Sequence, residues 1–350
     1  MKDLLRLICL LLVFPLAVFS FSYAVDPANV FYDEYEETLV QILLSGQNAE
    51  GVQNMDDRRF LRLYAQQRTA APHTLVLGSS RAMQITPAVT GSADTFVAGV
   101  TGSDLRDVIG AYELFEQQGL APKTVVLSLE MWYLSAGNLD SRALAPEYEA
   151  FCTRQGLQPL RTASAELSRY KNFFTFTYFQ SAVSYAAQNG LQKQLPTPTD
   201  EVYAETPVKR ADGSYGYEEA FRTRPQAVVD RGAADKQIVD NIAAYFTGVD
   251  EGLYAQLDAF VTHLQQQGVQ VRLLVSPVHP DYYAYMLQNP QRYATVFDTE
   301  ARYRQLARNH GLALYGSFDP TAVGASAADF YDEVHPKESA LLRYYDTVVE

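Results

Sequence analysis

Two short stretches, far apart in the chain, carry residue types that could act together as a nucleophile and its base. In 74–83, TLVLGSSRAM, an apolar run breaks into Gly78, Ser79 and Ser80, followed by Arg81. The pattern predicts a buried strand ending in a tight turn. At the carboxyl end of a strand in an open α/β sheet, such a turn projects side chains into the crevice where these folds hold ligands. Near the other end, 330–336 reads FYDEVHP and sets Asp332 and His335 three residues apart. That spacing lets a carboxylate reach the Nδ1–H of the imidazole and leaves Nε2 to accept a proton from a hydroxyl. A serine alone is a poor nucleophile, but one beside an oriented base is activated. The chemistry this implies is acyl transfer through a serine ester, with Ser79 or Ser80 as nucleophile. Taken without the distant pair, the two serines read more simply as caps of the next helix.

A second glycine-rich turn, Ala98-Gly99-Val100-Thr101-Gly102-Ser103, precedes an amphipathic pattern over 105–118. Backbone N–H groups beside a helix N-terminus can donate to a developing oxyanion, although tight strand-to-helix turns need glycine anyway. His279, in Ser276-Pro277-Val278-His279-Pro280, could bind substrate or assist the base, but His335, with Asp332 three residues before it, is the better base. Arg222 and Arg224 are candidate contacts for an anionic substrate and read equally as solvated surface charges. The five histidines are scattered with no H-x-x-x-H pair, so no metal site and no cofactor is expected.

The elements that must position these residues follow from periodicity. Strands are expected at 74–78, 95–97, 124–129, 269–275 and 312–315, and helices at 35–44, 58–67, 105–118, 235–246, 253–267, 281–287, 296–310 and 337–349. Gly268 suits a helix C-terminus, and Pro336 suits a helix first turn. Between 135 and 234 the strand and helix alternation fails. That region is expected to be an insertion forming a lid or substrate-binding subdomain. It holds an aromatic helix-like segment over 165–189, expected to pack in the core, with packing over the catalytic face or contact with a membrane as alternatives, a Pro- and Thr-rich linker over 196–206, and a hairpin turn at Ala211-Asp212-Gly213-Ser214.

The G-x-S turn after the first strand, the glycine-rich turn after the second and the terminal D-x-x-H together resemble the SGNH (GDSL-like) hydrolase superfamily. The nearest resemblance is to its membrane-anchored cell-envelope branch of DltD-like and alginate-acetylation-factor-like proteins, over 74–132 and from 269 to the end. The resemblance implies a flavodoxin-like three-layer α/β/α domain with a mostly parallel sheet, spanning 72–350 and interrupted by the 135–234 insertion. It implies Ser80 as nucleophile rather than Ser79, His335 as base, Asp332 as its orienting acid, and the Ser80 and Gly102 amides as oxyanion donors. Typical members carry an asparagine donor where this chain has Glu130-Met131-Trp132. Glu130, Trp132 and Arg81 then become candidate substrate-binding residues, with Arg81 also a candidate helper of the oxyanion amides, unless Trp132 simply plugs the sheet edge. The Ser-Asp-His order would also fit an α/β-hydrolase, but its G-x-S-x-G elbow ends here in Ala82. The implied activity is a serine esterase or O-acyltransferase on acyl groups of a cell-envelope polysaccharide or acylated glycan, with a membrane-bound acyltransferase as partner. The alternative is an inactive polysaccharide-binding or assembly subunit at the membrane.

Composition narrows the partners. With 28 basic and 41 acidic residues the net charge is −13, which disfavours nucleic acid. The 24 tyrosines and 18 phenylalanines suit surfaces that meet sugars or peptides as well as a core. Cys9 lies in the leading apolar run, so Cys152 has no disulfide partner downstream of it. Lys2 and Arg6 precede the nearly unbroken apolar run 7–21. Residues 1–24 are therefore expected to be an export signal, either cleaved to give a secreted protein or kept as a single N-terminal membrane anchor. A helical lead-in over 25–71 follows.

Overall fold

A computed structural model describes residues 2–31, 34–135, 144–160, 172–191, 194–235 and 248–349. Five strands, β1 Thr74–Gly78, β2 Thr95–Gly99, β3 Thr124–Ser128, β4 Gln270–Val275 and β5 Leu314–Gly316, form an all-parallel sheet in the order β2-β1-β3-β4-β5. This is the flavodoxin-like order. Successive side chains of a strand point to opposite faces, and here both faces are apolar. Leu75, Leu77, Val125, Leu127, Leu273 and Val275 join one core with the helices Asp57–Gln67, Leu105–Gln117, Glu251–Gln266 and Ala294–His310. Val76, Val97, Val126 and Leu274 face the other way, onto Val89 and onto Ala340, Leu341 and Tyr344 of the helix Glu338–Tyr344. Burial on both faces is what a parallel sheet requires, and it gives the three-layer α/β/α architecture.

The register aligns the strand ends that matter. Gly78 lies opposite Gly99, Leu77 opposite Leu127, Ser128 opposite Leu274, and Val275 opposite Gly316. The turns after all five strands therefore open along one sheet edge. A Cβ on Gly78 would stand 2.7 Å from Ser128 Cβ and 2.8 Å from Ala82 Cβ, so only glycine lets β1 enter its turn this close to β3.

A second, antiparallel sheet joins the lead-in to the insertion. Its strand order is Thr197–Thr199, Asn48–Glu50, Val208–Lys209, Tyr215–Gly216. The stretch expected as a Pro-rich linker thus contributes a strand. Pro198 is tolerated there because that strand is at the edge. The expected turn over 211–214 closes the last hairpin, with Ser214 N–H donating to Asp212 Oδ1 at 2.8 Å. Its tip lies on β2: Val97 N–H donates to Asp212 O at 2.7 Å. Gly213 has φ +78°, and a Cβ there would meet Val97 O at 2.4 Å.

Three expectations change. The closing helix ends at Tyr344 rather than 349, because the chain then returns to β5, with Gly316 N–H donating to Thr347 O at 2.9 Å and Tyr315 bridged to Val348. Pro336 is not in that helix's first turn but bridges Phe330. The aromatic segment, described from Phe173 and including the helix Phe176–Asn189, packs against the N-terminal helix Lys2–Val25 rather than in the core. Phe173, Tyr178 and Ala182 are buried, whereas Phe174 and Phe176 are 64% and 67% exposed. The helix expected over 235–246 falls almost wholly outside the described residues; a helix Gln226–Asp235 precedes it. Among the described residues no helix is long and apolar enough to cross a membrane.

Candidate active site

The two serines after β1 have separate roles. Ser79 is the N-cap of a one-turn 3-10 helix, Ser80–Gln84, and its Oγ accepts from Arg81 N–H at 3.1 Å. It is fully buried and donates to Glu130 Oε1 at 2.7 Å. The capping alternative therefore describes Ser79. Ser80 is half-buried, and its Oγ lies 2.9 Å from His335 Nε2.

His335 arrives on the loop after β5. The Phe330 to Pro336 bridge pinches 331–335 into a tight turn, and Tyr331 N–H donates to His335 O at 2.9 Å. Within it, Asp332 Oδ1 accepts from the N–H groups of Val334 at 2.9 Å and His335 at 2.7 Å. Asp332 Oδ2 lies 2.7 Å from His335 Nδ1. Burial alone would raise the Asp332 carboxyl, but the imidazole and the two backbone donors outweigh it and hold it down at about 2. An ionised Asp332 keeps the imidazole proton on Nδ1, which leaves Nε2 free to accept from Ser80. The His335 side chain is 17% exposed and that of Asp332 is 5% exposed. Ser80 and the His335 ring are thus partly open to solvent while Asp332 is not.

The turn after β2 is braced from behind. Thr101 N–H donates to Asp57 Oδ2 at 2.9 Å, Trp132 Nε1–H to Ser103 O at 2.8 Å, and the Tyr133 and Ser103 hydroxyls pair at 2.8 Å. Gly102 itself is exposed with φ +62°. Among the described residues neither the Ser80 nor the Gly102 N–H has a hydrogen-bond acceptor. Trp132, 6% exposed, supports this turn rather than standing open to a ligand.

Arg81 and Glu130, expected to contact substrate, lie beneath the site at 1% and 0% exposure. Arg81 donates to Glu130 Oε2 at 2.6 Å, Val334 O at 2.9 Å, Ser276 O at 2.6 Å and Pro277 O at 2.7 Å. His279 is also fully buried. Its Nδ1 accepts from Asp281 N–H at 3.2 Å, and its Nε2 lies 3.2 Å from Asp230 Oδ1. Asp230, His279 and Asp281 stand close enough to share an ion, but those contacts already occupy both ring nitrogens. Arg222 is turned inward, donating to Tyr217 O at 2.7 Å and Ala204 O at 3.0 Å. The Arg224 guanidinium lies over the Phe221 ring at 4.3 Å.

One wall of the site was not foreseen. The insertion brings Tyr217 against His335, with ring centroids 5.9 Å apart. Tyr217 also meets Phe221 at 4.9 Å and Tyr331 at 5.4 Å. Burial, with Asp332 nearby, pushes the Tyr217 phenol well above its ordinary range. The tyrosine-rich composition hinted at such a wall, but no spacing singled out Tyr217. A cleft of about 550 Å³ lined by Glu251, Asp298, Arg302 and Arg308 contains none of these residues. Among known proteins, no family model and no curated sequence matches the chain.

Proposed function

We propose that this chain is a serine hydrolase of the SGNH type, an esterase or O-acyltransferase that carries an acyl group as an ester on Ser80. The observation that supports it most is the unbroken relay from Ser80 Oγ through the His335 ring to an ionised Asp332, with contacts of 2.9 and 2.7 Å. Ser80 Oγ attacks the acyl carbonyl as its proton passes to His335 Nε2. The bond to the leaving alcohol breaks, and His335 returns that proton to the departing oxygen. Water or a sugar hydroxyl then attacks the ester, giving its proton to His335, and Ser80 recovers its own when the acyl group leaves. The Ser80 and Gly102 amides, which have no acceptor among the described residues, are the donors for the two oxyanions.

The substrate class follows from the resemblance: an acylated glycan or polymer of the cell envelope, met outside the cytoplasmic membrane, with a membrane-bound acyltransferase as partner. The wall of Tyr217, Phe221 and Tyr331 supports a ring-shaped acceptor, since aromatic faces suit the apolar faces of sugars. Glu130, engaged with Arg81 and Ser79 in place of the family's asparagine donor, favours the second reading, an inactive polysaccharide-binding or assembly subunit.

A fluorophosphonate probe on the full-length chain decides between them. The serine reading expects one label per chain, forming the Ser80 O–P bond with loss of fluoride, and a fall of at least about 10³-fold in Ser80→Ala. An unlabelled wild type, or labelling that persists in Ser80→Ala, overturns it.

A further inference from the structure

We infer that the buried Arg81–Glu130 pair holds the nucleophile turn and the base loop in one frame, making Arg81 a positioning residue; this rests on the serine reading above. Arg81 directly follows Ser80, and its Nε–H donates to Val334 O at 2.9 Å. The same peptide group carries the His335 N–H, which donates to Asp332 Oδ1 at 2.7 Å. A peptide group is planar, so gripping its oxygen and its N–H fixes the plane from which the His335 side chain projects.

The other end of the frame closes around Ser80. Glu130 Oε2 accepts from Arg81 at 2.6 Å and Oε1 accepts from Ser79 at 2.7 Å. The nucleophile is thus flanked by two residues tied to one carboxylate. The second Arg81 terminal nitrogen reaches Ser276 O and Pro277 O, just after β4. One guanidinium therefore joins the turns after β1, β3 and β4 to the base loop. A planar five-donor fork can serve four acceptors in fixed directions, whereas a lysine ammonium is a single flexible point. Stability alone is a weak reason for such a pair, because apolar residues of similar volume often serve a core as well. They would remove the donor from three carbonyls and the acceptor from the Ser79 O–H, and leave the two loops unlinked. A displacement of about 1 Å between reacting groups can cost about 100-fold in rate.

The test uses the full-length chain as wild type, Arg81→Lys and Ser79→Ala, with two readouts: the time course of fluorophosphonate labelling and the imidazole nitrogen NMR signals of His335. Arg81→Lys is expected to slow labelling about 100-fold while the final extent stays at one per chain, and to shift the His335 signals. Ser79→Ala, which removes the Ser79 bond to Glu130 and its cap on the Arg81 N–H but leaves the guanidinium contacts, is expected to slow it about tenfold. A wild-type rate with unmoved His335 signals in Arg81→Lys overturns the inference. So does a reduced extent at the wild-type rate, since Arg81 would then only set the folded fraction. Should Arg81→Lys not fold, an unchanged rate and spectrum in Ser79→Ala overturn it. An unlabelled wild type sinks the serine reading instead, and the His335 signals still decide whether Arg81 positions that ring.

Discussion

The Tyr217 ring stands steeply inclined to the His335 imidazole, at 69° with 5.9 Å between centroids, and its buried hydroxyl has no hydrogen-bond partner among the described residues. The ring and the hydroxyl therefore have separable effects. Removing an unpartnered buried hydroxyl is neutral or stabilising by up to about 1 kcal/mol. Tyr217→Phe is expected to keep the labelling rate within about twofold and to hold or raise the urea midpoint. Tyr217→Ala, which removes the wall, is expected to slow labelling about tenfold. Equal losses in the two variants would show that the hydroxyl takes part in the reaction.

Asp332 gives a stability contribution with a definite sign. Its carboxyl is held at about 2 in the native state, against about 4 in an unfolded chain. A depressed native value stabilises the ionised form, by about 2 kcal/mol at neutral pH. The contribution is complete above the unfolded value and is lost as pH falls from about 4 through about 2. Acid unfolding of Asp332→Asn should lack that component. Its labelling rate should fall about 10³- to 10⁴-fold, because the imidazole loses the partner that fixes its tautomer. A mutant with wild-type acid sensitivity would remove Asp332 from this role.

Truncating Glu130 strands a cation. With Arg81 1% exposed, Glu130→Ala leaves a buried guanidinium without its countercharge, a loss of about 3–5 kcal/mol. Urea unfolding followed by circular dichroism measures it. A change below about 1 kcal/mol would mean that water or a rearranged neighbour replaces the carboxylate.

Gly213→Ala tests the contact between the hairpin tip and β2. The backbone there is left-handed and the added methyl would fall 2.4 Å from Val97 O. Strain and displacement together should lower stability by about 2 kcal/mol or more, seen as a lower melting temperature.

The parallel sheet was legible because each strand is a short apolar run bounded by turn residues, and the D-x-x-H spacing was legible because one loop carries both side chains. The second sheet was not. Val208–Lys209 and Tyr215–Gly216 have two residues each, too few for a period, and Asn48 finds its partner at Thr199. Pro198 argued for a linker, but an edge strand can hold a proline because one side of it makes no ladder. Arg81, Glu130 and His279 stood at the right sheet edge and were expected to meet substrate. Sequence cannot separate a charge that faces a ligand from one that ties loops together, because both occupy the ends of strands.

The hairpin that ends in Asp212 and Gly213 also changes what the outer flank of the parallel sheet can do. β2 is the end strand on that side, and an open end strand is a template on which a foreign strand can add. Here the chain's own turn takes the Val97 N–H. Excising the insertion would strip Tyr217 and Phe221 from beside His335 and at the same time free the Val97 N–H and bare the edge of β2, so the shortened protein should self-associate.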